Sequence, residues 1–141
     1  MKKTILTLSI AGILFSGYLS GVKLFSQTCA FNETCPYFLG YPACYFGFIM
    51  FAVITLVAAW RVFGKVNEKL ALTALLTVSF MGILFAGYFT LGEIPLLLEQ
   101  GFSSYVFGLP TCALGLIFYL LIFAFSLQDY RTEKKLRKAT A

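Results

Sequence analysis

The side chains best suited to covalent chemistry in this sequence are its four cysteines, and they fall in two settings. Cys29 and Cys35 lie in a loop from Lys23 to Tyr41, marked by the turn and breaker residues Ser26, Gln27, Asn32, Glu33, Pro36 and Gly40. Their spacing is short enough for the two thiols to pair. Cys44 and Cys112 each follow a Gly-x-Pro turn, Gly40-Tyr41-Pro42 and Gly108-Leu109-Pro110. Each stands two residues after the proline and three before a glycine, Gly47 or Gly115. Proline suits the first position of a helix, where its missing N–H costs nothing. A thiol at such a helix start sits at the positive end of the helix dipole, which favours the nucleophilic thiolate.

Three chemistries compete for these residues. Cys44 and Cys112 could be small apolar packing residues, with Cys29–Cys35 a structural staple. Four thiolates could bind a metal, but the chain has no histidine and no Cys-x2-Cys spacing of the usual zinc kind. A thiol–disulfide relay needs one accessible disulfide and one activated thiol within reach, and this layout provides for both. No phosphate loop, hydrolase constellation or nucleic-acid signature is present.

The elements that position the cysteines are duplicated. Ser9-Ile10-Ala11-Gly12-Ile13-Leu14-Phe15-Ser16-Gly17-Tyr18 reads against Ser79-Phe80-Met81-Gly82-Ile83-Leu84-Phe85-Ala86-Gly87-Tyr88, 70 residues on (Gly17 to Gly87). The cysteine turns repeat 68 residues on (Cys44 to Cys112), so the intervening loops differ by two residues. A self-match this long marks an internal repeat. Repeat one covers about 4–62 and repeat two about 70–128, within a single membrane domain of 1–141.

Composition identifies the solvent. The chain is 60% hydrophobic and only 12% charged, too apolar for a soluble domain of 141 residues. Its net charge of +5 is gathered at particular chain positions instead of being spread over a face, which excludes a nucleic-acid surface and signals membrane topology. Four uncharged runs each match roughly a 30 Å hydrocarbon core: Thr4 to Val22, Pro42 to Trp60, about Leu70 to Leu91, and about Leu109 to Leu127. The first could be a cleaved signal peptide. Its missing small-x-small site and its match to an internal segment favour a retained helix. Gly92 to Gly108 reads as a second outer loop with Ile94 to Leu98 as an interfacial piece, Glu93 and Glu99 as solvated acids, and Asp129 to Ala141 as a solvated basic tail.

Ten of the eleven Lys and Arg lie at the N-terminus, in the Arg61–Lys69 link or in the tail; only Lys23 is on the other face. The positive-inside rule therefore puts both termini in the cytoplasm and the cysteine loops outside a cell's inner (cytoplasmic) membrane. There the compartment is oxidising enough for disulfides. The expected fold is an all-α four-transmembrane-helix bundle of two parallel two-helix repeats. Gly12, Gly17, Gly47, Gly82, Gly87 and Gly115 are available for close helix contacts.

Cys35-Pro36-Tyr37-Phe38-Leu39-Gly40-Tyr41-Pro42, and more closely Ser103-Ser104-Tyr105-Val106-Phe107-Gly108-Leu109-Pro110 with Gly115-Leu116-Ile117-Phe118-Tyr119, resembles the vitamin K epoxide reductase family. The general plan also looks like the DsbB-type thiol oxidases. The resemblance implies electron transfer between protein thiols and a quinone (ubiquinone or menaquinone), with Cys29 and Cys35 exchanging with a thioredoxin-like partner on the outer face. The family's Cys-x-x-Cys pair beside the quinone is missing here. Cys112 falls near that place alone, and Cys44 would have to be its partner. Lys23 could stabilise a thiolate or a reduced quinone, and Tyr18 and Tyr88 could donate to its carbonyls, although Tyr at a membrane edge also serves as an interfacial anchor. The other reading is a non-enzymatic four-helix membrane scaffold or small transporter with structural cysteines. Against transport, the spans offer no ionisable group within the membrane.

Overall fold

A computed structural model describes residues 1–27, 37–101 and 111–141, with the side chains of residues 96, 97 and 100 outside the description. The chain is an all-α membrane bundle, with four helices among the described residues: α1 (Lys2–Ser26), α2 (Ala43–Phe63), α3 (Glu68–Gln100) and α4 (Thr111–Thr140). All four are long and apolar enough to cross a membrane. The helices pack most extensively as the hairpins α1–α2 and α3–α4. Before α2, a two-residue strand pair, β1 (Tyr37–Phe38) and β2 (Tyr41–Pro42), closes through Leu39 and Gly40. Both turn residues have positive φ, 51° and 85°, as a two-residue hairpin turn of the primed type requires.

Without water to expel, helices in a bilayer associate through close packing. The core shows where that happens. Ile5 and Leu75, Ser9 and Ser79, and Ile54 and Ile122 are wholly inaccessible, and each pair occupies equivalent positions of the two repeats. At the bundle centre Phe51 of α2 and Tyr119 of α4, again equivalent, stack with ring centroids 4.3 Å apart at 11°. Each ring is backed by a glycine of its own hairpin. A Cβ on Gly12 would stand 2.4 Å from the Phe51 ring, and one on Gly82 would stand 2.5 Å from the Tyr119 ring. Gly17 makes a looser approach to Phe48, 3.2 Å. Gly47, Gly87 and Gly115 have open space where a Cβ would be, so at three of the six glycines available for close helix contacts the missing side chain is not what permits an approach. Small residues mark where helices can approach, but glycine spacing alone does not say which face meets a neighbour.

Three boundaries differ from the sequence reading. α3 does not end near Leu91 but continues through Pro95 to Gln100. Proline removes one backbone donor, and a membrane helix tolerates that loss where neighbours support it. Glu93 is consequently a buried helix residue, 8% exposed, and not a solvated loop acid, whereas Glu99 is exposed. α4 does not stop at Leu127: the basic tail is its continuation to Thr140. Glu133, Lys134, Leu136 and Arg137 are good helix formers, and Glu133 precedes Arg137 by four residues, the favourable orientation of an ion pair. At 30 and 33 residues, α4 and α3 measure roughly 45 and 50 Å, well beyond a hydrocarbon core of about 30 Å.

The third difference concerns Arg61. Expected in the basic link after the second span, it lies in the last turn of α2, which runs on to Phe63, and it is 5% exposed. Its Nε donates to Glu68 Oε2 of α3 at 2.7 Å and its Nη2 donates to Asp129 Oδ2 of α4 at 2.9 Å. Lys2 of α1 pairs with the other oxygen of Glu68. One residue from each helix thus enters a single ion network at this end of the bundle.

Candidate functional site

At the opposite end of the bundle a cavity of about 60 Å³ lies among all four helices, and both Cys44 and Cys112 line it. Its other walls are Phe15, Ser16 and Leu19 of α1, Ala43, Gly47 and Phe51 of α2, Phe85, Ala86 and Phe89 of α3, and Thr111, Gly115 and Tyr119 of α4. These fourteen residues form seven repeat pairs without remainder. Phe15/Phe85, Ser16/Ala86 and Leu19/Phe89 stand 70 residues apart, while Ala43/Thr111, Cys44/Cys112, Gly47/Gly115 and Phe51/Tyr119 stand 68 apart. The cavity therefore sits on the axis that relates the repeats, and the two cysteines lie across that axis from each other.

Local features hold the arrangement. Pro42 caps α2 with an extended backbone (φ −59°, ψ 135°), which places Cys44 at the second helical position. Cys112 is likewise the second residue of α4 as described. Ser20 Oγ of α1 donates to the Cys44 carbonyl at 3.2 Å and ties the start of α2 to its hairpin partner. The Phe51–Tyr119 stack closes the floor, and the Tyr119 hydroxyl donates to the Gly47 carbonyl at 3.2 Å across the axis. Gly47 and Gly115 leave the space open, because a side chain at either would begin in the void. Both cysteines are half-buried.

A second space adjoins the first. Between α2 and α3 a groove of about 600 Å³ is lined by Phe38, Phe46, Ile49, Met50, Met81, Leu84, Phe85, Tyr88 and Phe89. Phe85 and Phe89 belong to both linings and so form the wall between groove and cavity. Their rings lie 5.0 Å apart at 71°. Phe38 of the small hairpin meets Phe46, Phe85 and Phe89 edge-on, at 5.3, 5.4 and 6.3 Å. Such geometry is favoured for aromatic pairs beyond simple area burial.

The other sequence candidates are scattered. Tyr88 is 72% exposed and lines the groove, its ring edge-on to Phe89 at 5.3 Å. Tyr18, 57% exposed, lines neither space. Lys23 lies within α1, which runs past it to Ser26; its ammonium donates to the Gln27 carbonyl at 3.3 Å and stands 5.5 Å from the Tyr37 ring centre. Cys29 and Cys35 lie outside the described residues. Among the described residues no three His, Cys, Asp or Glu side chains are grouped to hold a metal ion. Sequence reasoning did not single out Tyr119, Phe51 or the Phe85/Phe89 wall. The 68-residue offset of the cysteines also links Phe51 to Tyr119 and was the available signal. Comparison with protein-family models, curated proteins and solved structures finds no match to this chain.

Proposed function

We propose that this protein is a membrane thiol–disulfide oxidoreductase in which Cys44 and Cys112 form the membrane-edge redox pair and Cys29 and Cys35 the loop pair. The observation that carries the reading is the shared cavity. The two cysteines come from equivalent helix starts and line one small, mostly apolar space on the repeat axis. Thiol pairing needs Cα atoms at about 5–6 Å, and a site on a pseudo-twofold axis offers two equivalent groups at one depth. In exchange, a thiolate of the loop pair attacks the Cys44–Cys112 disulfide. One S–S bond forms as one breaks, and the second loop thiolate then resolves the mixed disulfide. The loop pair is left oxidised and Cys44 and Cys112 are left as thiols. With the loop pair reduced in turn by a thioredoxin-like protein on the outer face, electrons pass from a protein dithiol into the membrane.

A quinone is the proposed acceptor. The cavity itself is too small for its ring, because an engineered cavity of about 150 Å³ is what holds benzene. The adjoining groove is large enough, and Phe46, Phe85, Tyr88 and Phe89 would hold a flat ring there, separated from the cysteines by the Phe85/Phe89 wall. When bound, a quinone supplies a sink for the two electrons and two protons released as two thiols become a disulfide. By this reading the cysteine end faces outward from an inner (cytoplasmic) membrane and both termini are cytoplasmic. The family resemblance to vitamin K epoxide reductases and DsbB-type oxidases supports the same reading.

The test is thiol counting on the purified full-length protein by mass-tagging maleimide after acid quench. Reduced protein should carry four tags, matching its four cysteines. Short-chain ubiquinone or menadione should remove tags in pairs, and Cys44→Ser or Cys112→Ser should leave the other member of that pair taggable. A tag count unchanged by quinone, or Cys44 and Cys112 that never link under any oxidant, would replace this reading with that of a membrane scaffold with packing cysteines.

A further inference from the structure

At the ion-network end, a pocket of about 280 Å³ opens between the first turn of α3 and the extension of α4. Its lining on α4 is Tyr130, Glu133, Lys134, Arg137 and Lys138, which recur every three or four residues and so share one helix face, with Ala141 just past the helix end. α3 contributes Lys69 and, as the floor, the wholly buried Leu72. Four cations thus surround an apolar floor, with Glu133 as the one acidic side chain of that lining. The tail's other cations, Arg131 and Lys135, lie off this face.

We propose that this pocket is a binding site for the phosphodiester headgroup of an anionic phospholipid. Its position is where α3 and α4 leave the apolar span, the depth at which headgroups lie. Its cations come from two helices, so they converge on one point instead of forming a diffuse basic coat. The aliphatic stems of Lys and Arg, the Tyr130 ring and Leu72 add an apolar surface. A glycerol backbone and acyl chain would use that surface, and free phosphate would not. The proposal is independent of the redox chemistry at the other end of the bundle.

The experiment is native mass spectrometry of the full-length protein in detergent with phosphatidylglycerol, phosphatidylcholine or inorganic phosphate added. Wild-type protein should retain one phosphatidylglycerol in preference to phosphatidylcholine. Each cation removed from the pocket should weaken retention about five-fold, the scale of one basic residue near an anionic surface. Lys134→Gln/Arg137→Gln should therefore lose about 25-fold, and Arg131→Gln/Lys135→Gln, with the same charge change off the face, should lose less than five-fold. Millimolar inorganic phosphate should not displace the lipid. Equal retention of the two lipids, equal loss in the two double variants, or displacement by phosphate would overturn the proposal. All four substituted side chains are exposed, and an unchanged melting temperature checks that the variants fold.

Discussion

Gly12→Ala is the sharpest test of the bundle's centre. The added Cβ would stand 2.4 Å from the Phe51 ring, and ordinary contact begins at 3.4 Å, so the ring must retreat by about 1.0 Å. It has little room to do so. Phe51 is 2% exposed, stacks on Tyr119 at 4.3 Å, and meets Phe118 edge-on at 6.3 Å. Tyr119 is in turn backed by Gly82, where a Cβ would be 2.5 Å from its ring. Overpacking of a tight core costs about 1–3 kcal/mol, and a pinned ring places Gly12→Ala and Gly82→Ala toward the upper end. The same change at Gly87, whose Cβ meets nothing, should be neutral or gain up to about 1 kcal/mol through backbone entropy. Trimming the ring should relieve the clash, so Phe51→Leu should cost less in the Gly12→Ala background than alone, a coupling that a double-mutant cycle measures. The assay is SDS-induced unfolding in mixed micelles followed by circular dichroism. Equal stability of Gly12→Ala and Gly87→Ala, or strict additivity with Phe51→Leu, would refute the close approach and the packing argument built on it.

Other outcomes follow from the two ends of the bundle. Arg61→Met leaves Glu68 and Asp129 without their shared cation and should cost about 3–5 kcal/mol in the same assay. Adding Glu68→Gln and Asp129→Asn should restore much of it. Lys2→Gln should cost under about 1 kcal/mol, because the Lys2 side chain is 47% exposed. Tyr119→Phe keeps the stack but removes the donor to the Gly47 carbonyl, for a loss of about 1 kcal/mol. Gly115→Leu fills the cysteine cavity from a position where the first carbon meets nothing. It should slow maleimide labelling of Cys112 and block its linkage to Cys44; unchanged rates would separate the cavity from cysteine reactivity.

The four spans and the repeat were legible in the sequence because both are local signals, an apolar length and a recurring spacing. Cys44 and Cys112 were legible to the level of depth: equivalent positions about an axis along the membrane normal share a depth, and both line one cavity. What failed to be legible depended on partners. Pro95 and Glu93 read as loop residues by the chemistry of water-exposed chains, but in α3 a proline interrupts a helix without ending it. Arg61 read as the marker of a helix end. Its burial rests on Glu68, seven residues on, and on Asp129 of α4, which no window around residue 61 contains. Tyr119 belongs to the Gly-Leu-Ile-Phe-Tyr motif, and its 68-residue offset from Phe51 is the one sequence feature that marks it as a partner across the axis.

The ion pair between Arg61 and Asp129 has a consequence for how the hairpins recognise each other. The two residues occupy equivalent places, 68 apart, in the repeats. Were the α1–α2 hairpin to meet a second copy of itself about the same axis, two guanidiniums would face each other where the chain now has opposite charges. Two α3–α4 hairpins would likewise oppose carboxylate to carboxylate. The fused halves are thus keyed to each other by sign: the contact that locks them in one molecule would repel either half from its own twin.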